Sequence, residues 1–207
     1  MTMTTARDGR LGGGLLAPTH MSTNPMNNTK WNIDAAHSGI NFSVRHMVVS
    51  KVRGRFGKYS GTITLDDADI TRSSVEVSVD ASSIDTGVAE RDTHLRSPDF
   101  FDVEKFPELR FRSQRIERVD ATHYRIVGEL AIRDVKREVV LDAEYGGRGK
   151  DPWGNERVGF IAKAAIDRKE FGLTWNQTLE TGGILVGDRI EIDLDVQGVR
   201  AAAQSVA

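Results

Sequence analysis

Ile190-Glu191-Ile192-Asp193-Leu194-Asp195-Val196-Gln197 puts every apolar side chain at one parity and every polar one at the other. Successive side chains of an extended backbone point to opposite faces, so this stretch reads as a strand with one dry and one wet side. A helix is excluded, because residues two apart do not share a helical face.

The same period recurs outward from it. Val158, Phe160, Ala162, Ala164 and Ile166 form a row, preceded by a Gly/Asp/Pro/Asn loop expected from Gly146 to Asn155. Val139, Leu141, Ala143 and Tyr145 form another, joined by a short turn near Asp134 to Tyr124, Ile126, Gly128, Leu130 and Ile132. In the first half Leu109 and Phe111, then Val75, Val77 and Val79, then Ile63 and Leu65, then Ile40, Phe42 and Val44 alternate with polar neighbours. The expected fold is all-β: about eight antiparallel strands, a number at which a barrel closes around room for one ligand.

One segment breaks the rhythm. SSIDTGVAERDTHLRSPDFFDVEKFP, Ser82 to Pro107, carries charge clusters and no alternation. Ser97-Pro98 has the form of an N-cap followed by proline at the first helical position, so short helices are expected there. Such an excursion between strands serves either as a lid or as a surface crossover that plugs one end.

With 207 residues and no repeats, one domain is expected: a disordered leader or added tail over 1–28, the barrel over 29–200, and a flexible tail over 201–207. A net charge of −2 gives no basic excess to neutralise phosphates, so nucleic acid is not an expected partner. The absence of cysteine excludes disulfides, thiolate metal sites and cysteine nucleophiles. No apolar run approaches the roughly 20 residues of a membrane-spanning helix, so no integral membrane segment is expected. LGGGLLAP, Leu11 to Pro18, is too short and glycine-rich for an export signal, which leaves the cytoplasm as the expected location.

Chemistry-bearing motifs are sparse. His37 and His46, separated by an odd number of positions, fall on opposite faces of an unbroken strand and cannot share a metal. His46 has the parity of Phe42 and Val44, so it faces inward at a strand end, as a head-group contact or a satisfied buried histidine. His94, in ERDTHL, has nothing local to complete a metal triad, and Glu191, Asp193 and Asp195 are the wet face of a strand. There is no G-x-S-x-G, phosphate loop or dinucleotide fingerprint. No catalytic residue, metal or cofactor is expected, and the chain is not expected to be an enzyme. Arg168 continues the inward parity of Phe160 to Ile166 near a rim, where a guanidinium needs partners: a ligand head group or a structural carboxylate. An apolar tail inside the barrel would gain about 0.8 kcal/mol per buried methylene. The same side chains could instead fill the barrel, and periodicity does not separate hollow from full.

WNIDAAHSGINFSVRHM (Trp31 to Met47) followed by GRFGKYSG (Gly54 to Gly61) resembles the opening of YceI-like, or polyisoprenoid-binding, proteins. SSIDTGVAERDTHLRSPDFFDVEKFPELRF (Ser82 to Phe111), LAIRDVKREVVL (Leu130 to Leu141) and GFIAKAAIDRKEFGLTWN (Gly159 to Asn176) extend the resemblance, in order, over roughly residues 30–199. The resemblance implies an extended lipocalin-like barrel that holds an isoprenoid lipid, either a polyprenyl chain or an isoprenoid quinone, and a homodimer. Its apolar ligand contacts carry over onto Phe42, Val44, Ile63, Phe111, Leu130, Ile132, Phe160, Phe171, Trp175 and Ile192, with His46 and Arg168 as polar candidates. His37, Asp102, Asp167, Arg168 and Gly172 also match, for folding or for binding. Many members are exported, whereas this chain shows no export signal.

Three functions follow: storage, transport or sequestration of an isoprenoid lipid; a filled structural barrel acting through dimer or partner contacts; or a small-substrate enzyme using His37, His46 or Arg168.

Overall fold

The structure is a computed structural model that describes residues 28–47, 50–178 and 184–202. The expected leader lies outside the described residues but for Asn28, as does the end of the C-terminal tail. Ala201 still donates its amide to Lys30, at 2.8 Å.

Alternation produces the strands β1 (Asn28–Ile33), β2 (Gly39–His46), β3 (Ser50–Phe56), β4 (Tyr59–Asp66), β5 (Ser74–Asp80) and the short β6 (Ile84–Asp85). A helix, α1 (Ala89–Arg96), follows, then β7 (Glu108–Arg118), β8 (His123–Ile132), β9 (Val135–Lys150), β10 (Glu156–Asp167) and β11 (Val186–Arg200). All pairings are antiparallel. Eight strands close a ring in the order β1-β4-β5-β7-β8-β9-β10-β11, completed by β11 on β1. β11 is long enough to serve two neighbours: Val199 and Arg200 pair with β1, while Val186 to Asp195 pair with β2, which carries β3 and β6 as an extension of the wall. Register keeps the dry rows continuous, as where Ile192 lies between Phe42 on β2 and Ala164 on β10.

Two stretches depart from the expected pattern. β3 falls in the glycine-punctuated segment, where Gly54 takes an inward position opposite Phe42. A Cβ at Gly54 would lie 2.4 Å from Phe42 Cζ, so the missing side chain makes space for that ring. β9 runs on through the expected loop to Lys150, which pairs with Glu156. Only Asp151–Asn155 turns, and the Asp151 carboxylate accepts the Trp153 and Asn155 amides at 3.0 and 2.9 Å.

The excursion holds one α-helix, and Ser97 ends it instead of starting one. Its amide donates to the His94 carbonyl at 3.1 Å, and Pro98 continues into turns. Glu90 and Asp92 in the first turn and His94 and Arg96 in the last match the helix dipole. Polar bonds tie α1 to the barrel: Arg96 donates to the Ser82 and Ile84 carbonyls, and buried Asp92 accepts from the Thr86 amide and hydroxyl.

The two larger clusters of buried side chains lie at the ends, with a smaller one of Leu141, Ala143 and Ala162 on the wall between them. Trp31, Ile63, Leu65 and Val158 close the base. Phe56, Val79, Ile84, Leu109, Ile132, Phe171 and Leu173 pack under the end that carries α1.

Candidate functional site

Between these two clusters the barrel is hollow. A cavity of about 560 Å³ runs through it, within the roughly 300–1,000 Å³ typical of small-molecule sites. The reason lies in side-chain size. Ala143, Ala162 and Ala164 face inward on neighbouring β9 and β10, where larger side chains would take up the space. In consequence Phe42, Val44, Phe111, Leu130, Phe160 and Ile192 point inward yet stay only half-buried, because each keeps surface facing the void. A close-packed core would have covered them.

Of the positions expected to contact a ligand, Phe42, Val44, His46, Ile63, Phe111, Leu130, Ile132, Phe160, Arg168, Trp175 and Ile192 all lie on this wall. Phe171 does not. It is 1 % exposed and packed into the cluster beneath α1. Period-two parity stops at Asp167, whose carboxylate accepts the Lys169 amide at 2.8 Å and begins a 3₁₀ turn over Arg168–Phe171. Gly172 then takes a φ of 76° to leave the turn.

The wall is polar chiefly at the α1 end, where His46, Thr86, Glu90, Arg91, His94 and Arg168 reach it. Arg168, 3 % exposed, is committed to the fold. It donates to the carbonyls of Leu173, Trp175 (2.8 Å), Val186 (3.3 Å) and Gly187 (3.0 Å) and meets Asp188 at 3.3 Å. Burial lowers its pKa, and the Asp188 carboxylate opposes that shift. His94 stacks edge-on against Trp175 and Phe100, with ring centres 4.6 and 5.1 Å away, and bonds Asp99 at 2.9 Å. These rings and α1 cover the cavity's end.

His37 is remote from this end. It is exposed and bonds Asp34 at 2.8 Å, beside the Asp34–Gln197 backbone contact, whereas His46 pairs with Val186. Val186 and Gln197 sit near opposite ends of β11, roughly 36 Å apart along the strand. Among the described residues no group of three or more His, Cys, Asp or Glu side chains could hold a metal ion. No helix among them is long and apolar enough to cross a membrane.

The sequence reading placed Ala143, Ala162 and Ala164 in its inward rows, but parity gives direction and not the space they leave. It missed Arg91 and Thr86, which sit in the non-alternating segment, where parity gives no direction.

A family model described as the YceI-like domain matches residues 31–198, from β1 into β11. A UPF0312 protein of Vibrio cholerae is 36% identical over 165 residues, covering 80% of this chain and 83% of the relative. Among solved structures, the Campylobacter jejuni YceI protein is 31% identical with a TM-score of 0.66, covering 76% of this chain and 90% of that one. A polyisoprenoid binding domain from Saccharophagus degradans shares the fold at 14% identity, with a TM-score of 0.58 and coverage of 83% and 98%. On the family match, which takes in all the barrel strands, and on the Vibrio relative, this chain belongs to the YceI-like family.

Proposed function

We propose that the chain binds a lipid with a long isoprenoid tail, holds the tail inside the barrel, and serves to store, carry or sequester it. The observation that carries this reading is the cavity of about 560 Å³ whose middle is lined by aliphatic and aromatic side chains. Each methylene moved from water into such a wall contributes about 0.8 kcal/mol. A tail of a few isoprene units therefore offsets the cost of association without a hydrogen bond along its length. The description of the Saccharophagus degradans neighbour as polyisoprenoid binding supports the same ligand class.

A small-substrate enzyme is the weaker reading, since His37 lies away from the cavity and Arg168 is spent on backbone carbonyls. A filled structural barrel fits poorly with the void. The proposal extends to a homodimer, for which light scattering should return twice the 22.9 kDa chain mass.

The test is organic extraction of freshly purified full-length protein followed by mass spectrometry. An isoprenoid lipid near one per chain is expected; protein that is empty in repeated preparations, or that holds only adventitious detergent, counts against the proposal.

A further inference from the structure

At the α1 end of the cavity most polar groups are already engaged. Arg168 is consumed by carbonyls, His94 by Asp99, and Asp92 by Thr86. Arg91 is different. Its Nε donates to the Thr86 hydroxyl at 2.7 Å and its Nη2 to the Thr86 carbonyl at 2.9 Å, which fixes the guanidinium in place. Of its five N–H donors the others remain available, and it forms no ion pair among the described residues. His46, on a separate element, reaches the same wall, and its ring makes no hydrogen bond among the described residues.

The two belong to one end of the barrel by a chain of contacts. His46 pairs with Val186, whose carbonyl accepts from Arg168; Arg168 holds Trp175, and Trp175 stacks on His94 of α1, the helix that carries Arg91. An apolar tail drawn up to this end would press against a charge with unused donors, which is costly unless an acceptor meets it. Resting on the isoprenoid reading above, we propose that Arg91 and His46 form a head-group site for a lipid whose head presents oxygen acceptors, a carbonyl or a phosphate. The head then sits under α1 and the tail points to the base, toward Ile63 and Leu65. Glu90, exposed on the same wall, sets a carboxylate beside the site and limits how much negative charge it accepts.

The experiment uses the full-length, delipidated chain and three probes of matched tail length: an isoprenoid benzoquinone, a polyprenyl monophosphate and a headless isoprenoid hydrocarbon. Arg91→Met is expected to weaken the benzoquinone, the phosphate or both about ten-fold, and to leave the hydrocarbon unchanged. Which head loses affinity identifies its source, and either loss supports the site. His46→Leu, which removes none of the Thr86 contacts, should give a smaller loss with the same selectivity, and decides the matter alone if Arg91→Met fails to fold. Equal weakening of all three probes, or no change in either variant, overturns the head-group site while leaving tail binding intact. A wild-type chain that binds none of the three overturns the isoprenoid reading and this site together.

Discussion

The Arg168 guanidinium donates to the Trp175 carbonyl at 2.8 Å, so a buried charge at the end of β10 holds the residue whose ring leans on His94 of the covering helix. The same side chain serves the carbonyls of Leu173 and Gly187. Arg168→Leu would keep much of the volume and strip these acceptors of their donor. The expected cost is about 3 kcal/mol or more, read as a lower urea midpoint. A loss under about 1 kcal/mol would mean that the arginine does not organise this end.

Ala164 gives a way to separate binding from stability. It is half-buried and faces the void on β10. Ala164→Phe should place a ring in open space, so that the fold is kept while the lipid is displaced. We expect extracted lipid to fall several-fold with the thermal midpoint unchanged or raised. Undiminished lipid in a folded variant would place the tail elsewhere.

A pH dependence follows from Arg157, which bonds Asp34 at 2.7 Å and Asp151 at 2.9 Å. Hydrogen bonds from Arg157 and then His37 hold the Asp34 carboxyl at about 2, against an ordinary 3.8. The Asn155 side chain, with Arg157 behind it, takes Asp151 to about 2 as well. Both pKa values are depressed in the folded state, so the stabilisation is fully present above the ordinary carboxylate value and is lost as pH falls from there toward about 2. Arg157→Leu should therefore unfold at lower urea than wild type at neutral pH, and the two midpoints should converge on acidification through that window. A gap of constant size down to the acid end would show that these ion pairs contribute nothing to folding.

Much of this was legible in the sequence, for a definable reason. Wherever a wall strand has one dry face, as from Ile190 to Val196, parity assigns the inward side chains directly, and Phe42, Phe111 and Ile192 all reach the cavity. Parity fails where glycine replaces an inward side chain, which hid β3 at Gly54, and where the register shifts, as in β9 after Tyr145, beyond which Arg148 lies opposite Val158. It also fails where the backbone leaves the strand, as Asp167 makes it do ahead of Phe171. Ser97-Pro98 misled because a helix end and a helix start both tolerate that pair: serine accepts either cap position, and proline follows a stop as readily as it opens a helix. Hollowness is a property of facing volumes summed around the ring, set by Ala143, Ala162 and Ala164 together, and no single strand displays it.

The most direct test of the central claim is the dependence of affinity on tail length. Delipidated protein would be titrated with isoprenoid lipids of one head group and one to eight or so isoprene units, by calorimetry. If the cavity houses the tail, affinity rises roughly ten-fold or more with each added unit until the space is filled, then levels off. An affinity that stays flat from the shortest tail to the longest would contradict the account.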